Sequence, residues 1–384
     1  MNSFKLIPRL RVNYSFVDLI QALFVSERKS VYRDRCSTLL SEYYDGNNVC
    51  LTPSARDAIY EVLIRLPQET VIVPAYTCMA VVEAVLLANK KIVYTHNGND
   101  GFNSNYLESV KPNTIVLATH QYGIPCNIEQ IAEKCKEKGA ILIEDCATSM
   151  GSVVNGKKTG TFGDYAVVSF NASKLLNVPP YGGVLISKNK HMIEAIQKTA
   201  VWQEGGAKFK LKGLFRGLAF VVTKNKIAYR CFHYLTMESK GKHQRSEHEA
   251  PSSIKTDLYK YKFTEWQASI LLPQLLKLGE IFEKRQTLYS YYNTHINNDI
   301  IKKPEVNYDA VCCRFAILVE DRDRFYHECI KAGIDLDFSH SSLGCPRSFK
   351  KEHQMASRIL NLPFDINLSR KELNQVVTVV NSIK

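Results

Sequence analysis

Val167-Val168-Ser169-Phe170-Asn171-Ala172-Ser173-Lys174 reads as a β-branched strand running into a short polar turn that presents an amine. Upstream, the apolar run Ile141-Leu142-Ile143 delivers Glu144-Asp145 at its end. An amine and a carboxylate at the mouth of one sheet are what pyridoxal phosphate needs: a Schiff-base lysine, and an acid that keeps the pyridinium nitrogen protonated. Alone, neither residue carries weight, since most lysines are solvated and a carboxylate at a strand end is often a helix cap. The sequence on either side decides between these readings.

Residues 50 to 187 alternate β-branched runs with helical periodicity, the signature of a parallel α/β sheet. Ser54 precedes a helix whose apolar face is Ala58, Ile59, Val62, Leu63 and Leu66. Strands follow at Val71 to Val73, Ile92 to Tyr94 and Ile115 to Ala118, with a helix from Thr77 onward and another from Ile128 to Lys138. Two strands bracket Lys174, the second being Gly183 to Ile186. Later, a long helix is predicted from Trp266 to Phe282. A strand at Phe315 to Val319 then opens a smaller α/β region, closed by a helix from Arg370 that carries Ser369 and Glu372 at capping-box spacing.

Composition fits a globular enzyme. The chain has 384 residues, 45% of them apolar and 23% charged, long enough for two domains sharing a cleft. Eleven scattered cysteines without a CxxC suggest neither a zinc site nor a disulfide framework, and reduced thiols fit a cytoplasmic location. The apolar stretch from Val17 to Val25 is interrupted by Asp18 and Gln21, and no run reaches the ~20 residues of a membrane span. A net charge of +12 points to anionic partners, but no nucleic-acid-binding motif accompanies it, so no nucleic-acid partner is expected.

Residues 205 to 237 carry seven Lys or Arg and no Asp or Glu, interleaved with Phe209, Leu211, Leu214, Phe215, Leu218 and Phe220. Such a basic amphipathic segment can make peripheral contact with an anionic membrane. The irregular apolar stripe favours a helix or flap docked on its own protein.

The chain resembles the sugar aminotransferases of the DegT/StrS type, which have the aspartate aminotransferase fold, fold type I. The likeness runs from about Leu51 to the end, with a longer insertion between Ser187 and Lys260. Its landmarks are Val71-Ile72-Val73-Pro74-Ala75-Tyr76-Thr77, His120-Gln121-Tyr122-Gly123, Ile143-Glu144-Asp145, Gly160-Thr161-Phe162-Gly163-Asp164, Ser169-Phe170 through Lys174, and Gly182-Gly183. The resemblance implies an α/β fold with a large, mostly parallel central sheet flanked by helices and a smaller C-terminal α/β domain. We expect residues 1–255 to form the cofactor-binding domain, with a basic insertion and loop at 205–255, and 256–384 to form a helix and the small domain.

The resemblance also assigns roles. Lys174 matches the lysine that carries pyridoxal 5'-phosphate and then acts as general base, and Asp145 matches the acid facing the ring nitrogen. Ser169 matches the phosphate-binding serine. Ser54 and Ala55 match the turn whose backbone N–H groups cradle the phosphate at a helix N-terminus. Four positions depart from the family. The customary Gly-Thr is Ala55-Arg56, and Arg56 either adds charge at the phosphate or faces solvent. Cys78 stands where an aromatic stacks on the ring, Thr148 where Gln or His lies near the 3-hydroxyl, and Lys260 where an Asn reaches the neighbouring subunit's phosphate. A homodimer with shared active sites is implied. His340, near the family's substrate loop, is left out of the catalytic set because a lone His is more often structural.

The expected activity is amination of a keto group on a nucleotide-linked (deoxy)sugar, with glutamate as donor, serving bacterial surface polysaccharide or glycosylated natural products. Relatives that are sugar dehydratases carry a His in place of the lysine, and Lys174 argues against that reaction. A non-nucleotide keto sugar or cyclitol as substrate, or a non-catalytic membrane-associated relative, are the rival readings.

Overall fold

The computed structural model describes residues 4–98, 106–238, 259–306, 309–338 and 343–384. The strands of its first part are β1 (Asn48–Thr52), β2 (Thr70–Pro74), β3 (Lys91–Thr95), β4 (Thr114–Thr119), β5 (Ile141–Asp145), the short pair β6 (Val153–Val154) and β7 (Lys157–Lys158), β8 (Tyr165–Ser169) and β9 (Gly183–Ser187). Seven of them form one sheet in the order β1-β9-β8-β5-β4-β2-β3. The five strands from β8 to β3 are parallel, and β9 and β1 close the other edge antiparallel. Every residue of β4 and β8 is buried, as continuous apolar runs covered on both faces require.

Helices α1 (Phe16–Leu23), α2 (Val31–Tyr43), α3 (Ala55–Leu63), α4 (Met79–Leu87), α5 (Ile128–Lys138) and α6 (Lys190–Thr199) belong to this first part. Gly139 closes α5 in the left-handed region, φ 65°, where its missing side chain removes the steric cost. The basic segment folds as α7 (Ala207–Val222) and α8 (Lys226–His233). It docks on its own protein: Phe209, Gly213 and Gly217 form the buried face of α7, and a Cβ at Gly213 would lie 2.6 Å from the ring of Trp266.

The helix predicted from Trp266 to Phe282 is two helices, α9 (Glu265–Leu275) and α10 (Leu278–His295). Pro273 lacks the N–H that would bond one turn back, and two residues beyond α9 Lys277 N–H donates to Gln274 O at 3.1 Å in a tighter turn. The second sheet is antiparallel, β10 (Ile301–Lys302), β11 (Phe315–Val319) and β12 (Ile359–Leu362), with α11 (Arg322–Lys331), α12 (Lys350–Arg358) and α13 (Arg370–Ser382). Its core gathers Phe315, Tyr326, Leu360 and Val376 with Leu6, Ile7 and Tyr229 from the first part of the chain. None of the helices searched is long and apolar enough to cross a membrane.

Candidate active site

Lys174 and Asp145 reach one cleft from adjacent parallel strands. Asp145 ends β5 and pairs with Val167 of β8, so the turn after β8 carries the lysine over the same end of the sheet. That turn is held by its own amides: Lys174 N–H donates to Asn171 O at 2.9 Å, and Ala172 N–H to Asn171 Oδ1 at 2.8 Å. The cleft, about 310 Å³, is lined by Lys174, Asp145, Ser169, Ser54, Ala55, Cys78 and Thr148. Lys260 does not line it; its side chain is exposed and its carbonyl accepts from Gln203 N–H at 2.7 Å, while neighbouring Tyr259 faces the cleft. His340 lies outside the described residues. A larger cleft of about 790 Å³, between β10, β11 and α12, contains none of these side chains.

Asp145 is buried, and its Oδ1 accepts from Ala147 N–H at 3.0 Å. Burial pushes its carboxyl above the ordinary range, against the pull of the Lys174 charge, the Ala147 N–H and His120. A carboxylate so placed is stabilised by any further cation brought into the cleft.

In the same cleft, Ser54 caps α3: its Oγ accepts from Asp57 N–H at 3.2 Å and also bonds the Asp57 carboxylate. The first-turn N–H groups of α3, which have no intrahelical acceptor, are therefore its main offering to an anion. Gly183 lets this turn sit beside β8 and β9. A Cβ there would lie 2.5 Å from Ala55 N and 2.6 Å from Ser54 C, both backbone atoms unable to move aside. Gly183 pairs with Ser169, so the serine is at the same cradle. Burial raises Asp57 to about 6, opposed by the Ser54 hydrogen bond, the Arg56 charge and the Tyr259 N–H.

Arg56 does not face solvent. It is buried, donates to Glu83 Oε2 at 2.6 Å and lies 5.1 Å over the ring of Tyr259, so its charge is matched within the cleft wall. Tyr259 stacks on Tyr181 with ring centroids 3.6 Å apart. Thr148 Oγ1 donates to His120 O at 2.7 Å, which commits its proton to the backbone. Gln121 was a landmark of the sequence but not one of its site residues. It is buried in the cleft wall, with Nε2 donating to Tyr76 O at 2.6 Å and Oε1 unbonded among the described residues. His120, Glu144 and Cys146 cluster with metal-ligand spacing, but Glu144 already accepts from the N–H groups of Gly160, Phe162 and Gly163 at 2.7 to 2.8 Å. It anchors the 160–163 turn.

An amine, a buried acid and a backbone cradle kept open by Gly183 fit pyridoxal phosphate. Residues 37–381 match the model of the DegT/DnrJ/EryC1/StrS aminotransferase family. The chain belongs to this family. It is thus an aminotransferase dependent on pyridoxal phosphate. Among curated relatives, it is 25% identical over 328 residues to the dTDP-3-amino-3,6-dideoxy-alpha-D-galactopyranose transaminase of Aneurinibacillus thermoaerophilus, covering 82% of this chain and 78% of that one. It is also 25% identical over 334 residues to the UDP-N-acetyl-3-dehydro-alpha-D-glucosamine 3-aminotransferase of Acidithiobacillus ferrooxidans, covering 82% and 77%. The fold matches that of NtdA from Bacillus subtilis, solved with bound cofactor PMP, with a TM-score of 0.70 over 99% of this chain and 85% of that one at 21% identity.

Proposed function

We propose that the protein aminates the keto carbon of a nucleotide-linked (deoxy)sugar with glutamate as donor, in surface polysaccharide or glycosylated natural product assembly. The observation that carries this reading is the convergence of Lys174, Asp145 and the Ser54–Ala55 turn on one cleft. The dTDP- and UDP-sugars in the names of the two relatives support the substrate class, and the net charge of +12 suits a diphosphate.

When bound, the cofactor supplies an electron sink for the pair left at the donor's Cα. Lys174 would hold it in place and, once released, would take the Cα proton on Nζ and return it two atoms further along, across the transferred nitrogen. Asp145 would keep a proton on the ring nitrogen, since its buried carboxylate would gain a cationic partner by doing so. Ser169 and the N–H groups at Ser54 and Ala55 would hold the phosphate, and Cys78 and Thr148 would border the ring. The active unit is a homodimer in the cytoplasm, in which Lys260 of the partner subunit completes the phosphate site. Each chain divides into residues 1–255 and 256–384, and residues 205–237 make peripheral contact with a membrane.

The test is the visible absorption spectrum with pyridoxal phosphate, wild type beside Lys174→Ala, before and after glutamate. We expect a band that requires Lys174 and is lost on adding glutamate. No Lys174-dependent band would overturn the site; a band indifferent to glutamate would overturn the donor.

A further inference from the structure

α1 and α7 lie side by side and antiparallel on the surface of the large sheet's domain. Lys224 Nζ, just after α7, donates to Tyr14 O before α1 at 2.6 Å. Lys210 Nζ, near the start of α7, donates to Val25 O after α1 at 3.1 Å. Leu19 of α1 packs where a Cβ on Gly217 would come within 2.9 Å, and both helices rest on α9 and its Trp266. Their buried faces therefore point the same way.

Their opposite faces are apolar as well. On α7, Leu211 is 52%, Phe215 63% and Val222 59% exposed; on and just after α1, Phe16 is 55%, Val17 58% and Phe24 84% exposed. At 100° per residue, Leu211, Phe215 and Val222 lie opposite the buried residues of α7, and Val17 and Phe24 lie opposite those of α1, with Phe16 on the flank between. One exposed leucine means nothing, but six large apolar side chains on two touching helices form a patch that calls for a partner.

Charge identifies the partner. Lys208, Lys212 and Arg216 form an exposed row at i, i+4, i+8 along the stripe of α7, and Arg28 and Lys29 follow Phe24. The acids nearby are engaged: Glu27 lies 3.4 Å from Lys210, and Asp18 closes the Ser15 capping box. A two-fold contact through this stripe would bring the cationic row toward its own copy, which works against placing the homodimer contact on this face. An anionic bilayer answers both features, because it accepts aromatic side chains at the acyl boundary and sets phosphates beside lysines whose stems lie along the apolar surface.

We propose that the outward face of the α1–α7 pair is a monotopic docking surface for an anionic phospholipid bilayer. Phe16, Phe24, Leu211 and Phe215 enter the interface, and Lys208, Lys212 and Arg216 meet the headgroups. This inference deepens the membrane contact of the proposed function by adding α1 to residues 205–237, and it is independent of the transamination chemistry.

The experiment is co-sedimentation of the full chain with phosphatidylcholine vesicles containing none or roughly a third phosphatidylglycerol, at low and high salt. We expect binding only to the anionic vesicles, weakened by salt, with the partition coefficient about tenfold lower for the double variant Phe16→Ser, Phe24→Ser and for Lys208→Glu, Lys212→Glu. The lysine-dependent absorption band and the melting temperature report whether each variant remains folded. If the wild type ignores anionic vesicles, this surface and the membrane reading both fail, while the aminotransferase reading stands. If the wild type binds and folded Phe16→Ser, Phe24→Ser binds equally well, the α1–α7 surface fails and contact through 205–237 alone survives. Light scattering that shows Phe215→Ser breaking up an oligomer, with no vesicle binding by the wild type, would assign the face to a second copy.

Discussion

Asp57 illustrates how one side chain at the cofactor cradle trades stability for position. It holds Ser54 and accepts from Tyr259 N–H at 3.0 Å, joining the start of α3 to the segment that stacks on Tyr181. Burial raises its carboxyl from 3.8 to about 6, despite the Ser54 hydrogen bond and the Arg56 charge. The unfolded chain therefore loses this proton more easily than the folded one. The stability it contributes is whole below pH 3.8 and is lost as pH rises through about 6. Asparagine keeps the shape and can accept from Tyr259 while donating to Ser54. Asp57→Asn should accordingly melt higher at pH 7, by on the order of 2 kcal/mol, with the advantage gone near pH 4. Melting curves at the two pH values check it, and an equal difference at both would assign the effect to packing.

At the scale of elements, the closing helix shows what the sequence made legible and what it hid. The capping box of α13 was visible in the spacing of Ser369 and Glu372 and is formed, with Glu372 N–H donating to Ser369 Oγ at 3.3 Å. What spacing could not reveal is Arg11, remote in sequence, whose Nη2 lies 2.7 Å from Glu372 Oε1. Burial acts to raise Glu372, but the Arg11 and Ser369 hydrogen bonds outweigh it and bring the carboxyl down to about 2. Here the sign is opposite to that at Asp57: the contribution is whole above 4.5 and disappears as pH falls toward 2. Glu372→Gln should cost on the order of 3 kcal/mol at pH 7 by stranding a buried guanidinium. It should also flatten the acid side of the melting profile, which thermal unfolding between pH 7 and pH 3 would record. The same contrast holds elsewhere. Periodicity exposed β2, β4, β5, β8 and β9 because buried strands are continuous apolar runs. It missed the break between α9 and α10 at Leu276 and Lys277, a few residues after Pro273 removes one backbone bond from the last turns of α9. In the cleft, Lys174 and Asp145 were legible as a chemical pair, and Ser169, Ser54, Ala55, Cys78 and Thr148 through motif order. Gln121, Tyr181 and Tyr259 were not, since their role depends on which strand ends and loops meet in space. Arg56 had two readings, and only its pairing with Glu83 resolves its place.

For the molecule as a whole, the placement of Lys260 bears on how many chains make one active site. Tyr259 occupies the wall of its own chain's cleft, yet the next residue, Lys260, points to solvent with its carbonyl tied to Gln203. A backbone fixed on one chain and a lysine directed away from it suit a side chain that serves a neighbouring copy, and a point charge is sufficient to hold a phosphate. If each cleft joins Lys174 of one chain to Lys260 of the partner subunit, then Lys174→Ala and Lys260→Glu are each inactive as homodimers. A hybrid of the two has one cleft with both residues intact and one with neither. Random reassortment makes half the dimers hybrids, so mixing the two inactive variants should restore about a quarter of the wild-type sites. The measurement is glutamate-dependent turnover after the variants are unfolded together and refolded. Recovery near that fraction establishes a shared site; a Lys260→Glu enzyme that is fully active alone, or a mixture that stays inactive, would place each active site within a single chain.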